Sequence, residues 1–352
     1  MASDAPLSVS VAMATYNGEK FISDQLNSIA SQTLLPCELV VSDDGSSDNT
    51  CDIIREFAET SPFPVRLYHN DERLGYRDNF IKVAYLCKGD LVAFSDQDDI
   101  WDNRKLKMQH VYFNDSKVAM VTHPYRAIDA DGRITNAVFP KIKKVKSYPP
   151  LGFNIFFPYY GMTLIFRKAM LPSPECINIR PIDHNAFEHL MSHDQWIPFL
   201  ATSSHVIIFM PNALTLYRQH NNNTSGPQPK VTLLSRLTRF AFSRSPEKDA
   251  KFYRKLSLSL ISRANALTSG CGPRTLASPK DIAKAVDFYN GLSVKYRLRA
   301  NMYNSRLMRI KRFSLFLKAI LSGAYGKKRK SLFGLSGAVK DLINICSLRM
   351  TR

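Results

Sequence analysis

Three carboxylates, Asp96, Asp98 and Asp99, fall within four residues, directly after the apolar run Leu91-Val-Ala-Phe-Ser95. Mg2+ and Mn2+ prefer oxygen donors, and Mg2+ is commonly held by one or two carboxylates together with substrate phosphates. Like charges this close are unfavourable unless a cation offsets them. A solvated acidic turn would use the same residue types, but the position after an apolar run that reads as a buried strand favours the metal. A second pair, Asp43 and Asp44, ends another apolar run, Glu38-Leu-Val-Val-Ser42. Acidic side chains at such strand ends accept hydrogen bonds from a nucleotide's base or ribose. Ser47 and Asp48, in the same turn, are suited to capping the next helix. His193-Asp194 opens a predicted helix. A carboxylate there is held ionised and can serve as a general base, although an ordinary acidic first turn has the same appearance. Arg218 offers a guanidinium for bidentate phosphate contact, and His220 an imidazole for phosphate or metal.

The elements that must position these residues alternate. Strands are expected at Leu7–Ala14, Glu38–Ser42, Pro64–His69 and Gly89–Ser95. Between them, Phe21, Ile22, Leu26 and Ile29 have helical spacing, Thr50–Ala58 reads as a helix, and another helix spans about Asp78–Cys87. Such alternation argues for an α/β fold, a mostly parallel sheet flanked by helices. Ligands bind beyond the carboxyl ends of strands in such sheets. Thr15-Tyr16-Asn17, Asp43-Asp44 and Asp96–Asp99 then converge on one edge. Beyond residue 103 the pattern is less regular. Residues 119–123, 161–167 and 206–210 read as strands, 140–150 as an exposed loop, and Ser192-His-Asp-Gln-Trp as a helix start. Ile155–Phe166, interrupted by Pro158 and Gly161, reads as buried rather than membrane-spanning.

Five motifs in this order carry a resemblance: Met13-Ala-Thr-Tyr-Asn-Gly18, Ser42-Asp-Asp-Gly-Ser-Ser-Asp48, Ser95-Asp-Gln-Asp-Asp-Ile-Trp101, His193-Asp194 and Tyr217-Arg-Gln-His220. Over about residues 7–225 the chain resembles the family 2 inverting glycosyltransferases. The Asp-Gln-Asp-Asp-Ile-Trp and Tyr-Arg-Gln-His forms look most like the bacterial rhamnosyltransferase branch of surface-polysaccharide synthesis. The resemblance implies a glycosyltransferase A-type, Rossmann-like nucleotide-sugar-binding fold with a basic helical region after it. Thr15, Tyr16, Asn17, Asp43 and Asp44 would hold the nucleoside, and Gly75, Arg77 and Asn79 would form a donor-side loop. Asp96 and Asp98 would meet ribose and the metal–diphosphate, with His220 a further metal ligand and Arg218 on the diphosphate. Gly161 would border the acceptor pocket, and Asp194 would be the base. The implied cofactor is Mg2+ or Mn2+. The implied partners are a nucleotide-sugar donor, with dTDP-L-rhamnose first and a UDP-linked hexose as the alternative, and a saccharide or lipid-linked acceptor.

The net charge of +18 is unevenly placed. Residues 1–230 carry 22 Lys+Arg against 25 Asp+Glu, and 231–352 carry 26 against 5, so the two parts are −3 and +21. We therefore expect a catalytic domain over 1–230 and a basic helical region over 231–352. The boundary is expected in the Gly/Pro-rich stretch ending near Lys230. Basic and bulky apolar residues alternate in Arg309–Lys318 and Lys327–Phe333. That pattern suits an anionic membrane surface, or a helical appendage with one solvated face.

The first residues show neither a basic n-region nor an apolar h-region, so no signal peptide is expected. No uninterrupted apolar stretch is long enough for a transmembrane helix. Six scattered cysteines without a CxxC pair suit a reducing compartment, each acting as a small hydrophobe. The expected location is cytoplasmic, peripheral on the inner membrane. A pI near 9.6 also suits nucleic-acid binding, but no binding motif accompanies it and no nucleic-acid partner is expected. A nucleotidyltransferase would carry a Gly-rich phosphate loop near its N-terminus, and Thr15-Tyr-Asn-Gly is not one.

Overall fold

Val9–Thr15 (β1) lies between two parallel strands and is buried along nearly its whole length. Strands covered on both faces read as near-continuous apolar runs. Glu38–Asp43 (β2) and Leu91–Ser95 (β4), also interior strands, are buried throughout, whereas Val65–His69 (β3), at the sheet edge, is more open. The computed structural model describes residues 6–220, 223, 246–273, 278–304, 307–325 and 333–347. The expected boundary near Lys230 and most of the basic run 327–333 lie outside them.

The remaining strands are Ile100–Trp101 (β5), Val118–Thr122 (β6), Tyr125–Ile128 (β7), Ile134–Phe139 (β8), Lys146–Tyr148 (β9), Ile165–Arg167 (β10), Val206–Phe209 (β11) and Thr215–Arg218 (β12). The main sheet runs β3-β2-β1-β4-β10-β6-β11-β9, and a smaller sheet runs β5-β12-β7-β8. Strands β3, β2, β1 and β4 are all parallel, so their carboxyl ends share one edge. Register brings Thr15 beside Asp43 and Asp43 beside His69. At the opposite ends, buried Glu38 accepts from Ser10 Oγ (2.6 Å) and pairs with Arg66 (2.6 Å), tying β1, β2 and β3 together.

Helices Ile22–Ala30 (α1), Thr50–Thr60 (α2) and Gly75–Leu86 (α3) connect these strands. Lys105–His110 (α4) and His193–Ser204 (α5) follow. Ile22, Leu26 and Ile29 of α1 are buried at helical spacing and share a core with Val11, Met13 and Val41 of the sheet. The chain divides into two compact units. One comprises Met1–Arg180, Met191–Pro227 and Ser269–Ile282; the other comprises Pro181–Leu190, Gln228–Thr268 and Ala283–Arg352.

The second unit is helical among its described residues, apart from a lone bridge between Ile182 and Leu190. Pro246–Thr268 (α6), Arg309–Leu321 (α8) and Gly334–Ser347 (α9) belong to it, with most of Pro279–Met302 (α7). Met302, Tyr303, Phe316, Ala319, Ala324 and Ile345 form its core. Asp341, fully buried, accepts from Arg299 (2.9 Å), Tyr303 (2.7 Å) and Tyr325 (2.5 Å).

Three expectations change. Within residues 140–150, expected as an exposed loop, β9 pairs with β11 and covers an edge that would otherwise leave backbone groups open. Residues 161–167, expected as one strand, are a 3-10 turn over Gly161–Thr163 followed by β10, which runs antiparallel between β4 and β6. The cysteines are not all single. Cys176 and Cys271 form a disulfide within the first unit, their Cα atoms 5.4 Å apart across 95 residues of sequence. Separation of that kind leaves no spacing signal to read. Cys37, Cys51, Cys87 and Cys346 are free.

Candidate active site

At the shared carboxyl edge the loops after β1, β2, β3 and β4 enclose a cavity of about 1150 Å3. Thr15, Tyr16, Asn17, Asp44, Gly75, Asn79, Asp96, Asp98, Asp194 and His220 are all on its wall. Asp43, Arg77, Asp99 and Arg218 are not.

Asp43 and Asp44 are sequence neighbours with different surroundings. Asp43 is buried and accepts from Thr15 Oγ1 (2.8 Å), Ser46 Oγ (2.5 Å) and the Ser46 amide (2.8 Å). Burial alone would raise its pKa, but the Ser46 and Thr15 bonds outweigh it and hold the carboxyl below its ordinary value. It therefore fixes the loop after β2. Asp44 accepts from Asn70 Nδ2 (2.9 Å) and from the Leu74 and Gly75 amides (both 2.7 Å). It caps the start of α3, where first-turn amides have no partner within the helix. Gly75 adopts φ 73°, a left-handed conformation that glycine reaches without a Cβ penalty. Asn79 of α3 donates to Ser42 O (2.8 Å), locking the helix to the end of β2.

Tyr16 and Gln97 bridge the ends of β1 and β4 through two bonds, Tyr16 N to Gln97 Oε1 (2.9 Å) and Gln97 Nε2 to Tyr16 O (3.0 Å). The Arg73 guanidinium lies 3.8 Å from the exposed Tyr16 ring, a cation–π contact at the cavity rim. Asn17 sits at φ 47°, and its side-chain oxygen accepts from the Ser47 amide (2.8 Å).

The acidic cluster is the electrostatic centre. Removal from water, then the nearby Asp98 and Asp194 charges, push the Asp96 pKa well above the carboxylate range. Asp99 is fully buried and is pushed up likewise, by burial and then by Asp98 and Asp96; its Oδ2 has no hydrogen-bond partner. Beneath it Lys105 is also fully buried. Its Nζ has no hydrogen-bond partner and lies 3.2 Å from the Trp101 ring centroid. Burial pulls its pKa down against the opposing pull of Asp99 and Asp96.

His220 Nε2 meets Asp98 Oδ2 at 2.8 Å, and its ring stacks on Phe21 with centroids 4.9 Å apart. The donor set is therefore of the kind a hard divalent cation takes, and a cation would relieve the repulsion that raises Asp96 and Asp99. Asp96, Asp98 and His220 do not converge on one point as they stand. Among the described residues, the group whose ligand atoms do lie within 4.8 Å of one another is Asp43, Cys51 and His69. Burial and then Asp43 push the Cys51 thiol up to about 11, so it stays protonated. That set is a poor match to Mg2+.

Arg218 is placed behind the cluster rather than on the cavity wall. Its guanidinium donates to Asp98 O (2.9 Å), Ala130 O (3.1 Å) and Asp24 Oδ2 (2.8 Å), and its amide donates to Asp99 Oδ1 (3.1 Å). It is 3% exposed, which leaves it clamping the Asp98–Asp99 turn instead of facing a diphosphate.

Across the cavity, Asp194 sits in the first turn of α5 and accepts from Ser192 Oγ. His193 before it is buried between Phe80 (4.0 Å between centroids) and Phe94 (4.9 Å). Burial, then the Arg77 and Arg180 charges, hold its pKa down to about 3. Gly161 touches it: a Cβ on Gly161 would lie 2.2 Å from His193 Nε2. Arg77, expected in the donor loop, is off the cavity wall; its charge acts on His193, and its guanidinium lies against the Tyr76 ring (5.4 Å). Sequence reading missed Arg73, Gln97, Lys105 and the seat of His193. Arg73 borders a loop already singled out, but nothing in the sequence distinguishes Lys105 from Lys107.

The family model of glycosyl transferase family 2 matches residues 10–171. The dTDP-rhamnosyl transferase RfbG of Shigella flexneri is 30% identical over 257 residues, covering 69% of this chain and 81% of that protein. The UDP-Glc:alpha-D-GlcNAc-diphosphoundecaprenol beta-1,3-glucosyltransferase WfgD of Escherichia coli is 33% identical over 136 residues, 38% of this chain and 51% of its own length. Among solved structures, residues 1–349 of S. aureus TarS in complex with UDP-GlcNAc superpose with a TM-score of 0.52 at 18% identity, covering 90% of this chain and 88% of that one. That likeness speaks for the fold alone, and it agrees with a glycosyltransferase A-type arrangement of a mixed sheet between helices. With the Shigella likeness and the matched model, the chain belongs to glycosyl transferase family 2.

Proposed function

We propose that this family 2 glycosyltransferase moves L-rhamnose from dTDP-L-rhamnose, with inversion, to a saccharide or lipid-linked saccharide in bacterial surface-polysaccharide synthesis, such as O-antigen, lipopolysaccharide or capsule. The observation that carries the reading is one cavity bearing Asp44 and Tyr16 on the strand-end side, Asp96 and Asp98 at its acidic centre, and Asp194 on the α5 side. The 30% identity to the Shigella dTDP-rhamnosyl transferase supports the sugar.

Tyr16, with Arg73 against its ring, offers a flat surface for the nucleobase. Asp44, whose oxygens already hold Leu74 and Gly75, fixes the donor-side loop. Asp194 takes the proton from the acceptor hydroxyl as that oxygen attacks the anomeric carbon, and the nucleoside diphosphate leaves from the opposite face. Asp96, Asp98 and His220 would hold Mg2+ or Mn2+, which supplies positive charge to the leaving diphosphate when bound. The basic last third, 231–352, meets the anionic cytoplasmic face of the membrane that carries such an acceptor. Among the described residues no helix is long and apolar enough to cross a membrane.

A second reading, a UDP-linked hexose donor, is favoured by the 33% identity to the E. coli glucosyltransferase. Thermal shift with dTDP-rhamnose, UDP-glucose and UDP-GlcNAc in Mn2+ separates the two. Asp194→Asn should keep the donor-induced shift of the preferred sugar and lose transfer by at least about a hundredfold. Stabilisation by UDP-glucose alone would overturn the rhamnose assignment, and near-wild-type transfer by Asp194→Asn would overturn the base.

A further inference from the structure

The second unit carries an apolar stripe on α8 that packing does not account for. Arg312, Phe316 and Ala319 form the buried face of this helix. Ile310 (83% exposed), Phe313 (45%), Leu317 (45%), Ile320 (44%) and Leu321 (87%) face away from that core. At about 100° per residue these five fall within an arc of about 100°, adjacent to the buried face but separate from it. Single exposed apolar residues are ordinary, whereas a continuous stripe marks a contact surface. Arg309 borders the stripe on one side and Lys311 and Lys318 on the other, all three exposed. Helix α9, in the same unit, repeats the pattern with Val339, Leu342 and Ile343 exposed at i, i+3 and i+4.

Charge selects the occupant. Residues 300–352 hold twelve Lys+Arg and one Asp+Glu. That one acid, Asp341, is fully buried and already bound by Arg299, Tyr303 and Tyr325, so the acid adds no negative charge to the surface. An apolar stripe between basic margins fits a leaflet of anionic lipid, with apolar side chains at the acyl boundary and cations among the headgroups.

We propose that α8 lies in the plane of an anionic membrane surface, with Ile310, Phe313, Leu317 and Leu321 inserted and Arg309, Lys311 and Lys318 at headgroup level. This rests on the reading that the last third meets a membrane and assigns that contact to one helix face.

The test is flotation of the full chain with vesicles of phosphatidylcholine alone and with phosphatidylglycerol added. Three proteins are compared: wild type, Ile310→Glu with Leu317→Glu, and Lys311→Glu with Lys318→Glu. These positions are exposed, and unchanged circular dichroism and unchanged donor-induced thermal shift confirm that each variant is folded. We expect wild type to float only with anionic vesicles and each double variant to lose roughly tenfold or more in partitioning. Equal flotation of wild type and both variants would overturn the assignment to α8 while leaving membrane attachment standing. Failure of wild type to float would overturn both. If wild type instead dimerises by light scattering and Ile310→Glu with Leu317→Glu is monomeric, a second copy covers the stripe and the lipid proposal fails.

Discussion

Gly161→Ala tests whether the seat of His193 is a rigid part of the site. The added methyl would stand 2.2 Å from His193 Nε2 and 2.8 Å from Cδ2, well inside van der Waals contact. The imidazole cannot easily yield, since it is buried with Phe80 at 4.0 Å and Phe94 at 4.9 Å. Forcing an extra methyl into a packed interior costs about 1–3 kcal/mol. For a unit of this size each kcal/mol lowers Tm by roughly 2–4 °C, so the fall should be between about 2 and 12 °C. Any shift of His193 also moves Asp194, the next residue. A misplacement of about 1 Å can cost on the order of a hundredfold in turnover. Calorimetry and a transfer assay measure the two effects. His193→Ala combined with Gly161→Ala makes the reasoning refutable, because removing the ring removes the clash. The double variant should then be at least about 1 kcal/mol more stable than the sum of the singles. Wild-type melting of Gly161→Ala, or an undiminished penalty in the His193→Ala background, would show that the clash is not what the glycine avoids.

Stability should fall as pH drops below about 6.5, the ordinary histidine value, because buried His193 and His123 are each held down to about 3 in the folded chain. The unfolded chain takes up these protons first, so the stabilisation is complete above pH 6.5 and is lost progressively toward 3. Each contributes roughly 1.4 kcal/mol per pH unit in that window, and urea midpoints of His193→Phe between pH 7 and 5 should show one such slope removed. Chelation with EDTA should abolish transfer, with Mn2+ or Mg2+ restoring it; full activity in metal-free buffer would remove Asp96, Asp98 and His220 as metal ligands. Arg218→Lys should destabilise by about 2–4 kcal/mol, since one ammonium cannot satisfy Asp98 O, Ala130 O and Asp24 together. An unchanged Tm for that variant would mean the turn holds without the clamp.

The sequence by itself determined the parallel half of the sheet and which loops meet at its carboxyl edge. Periodicity is local, and a strand buried on both faces shows itself as an unbroken apolar run, as at Val9–Thr15 and Leu91–Ser95. It also gave the charge division, since charge is additive along the chain. Tertiary structure decided what each candidate side chain touches. Asp43 and Asp44 are adjacent, yet one is locked by Ser46 and Thr15 while the other caps α3 beside the cavity. Arg218 binds Asp98, Ala130 and Asp24 across 120, 88 and 194 residues of sequence, and no local pattern encodes contacts of that range. The Cys176–Cys271 pairing, the edge strand Lys146–Tyr148 and the buried Lys105 have the same origin. Each depends on a surface supplied by residues far away in the chain, so it exists only after the chain has folded.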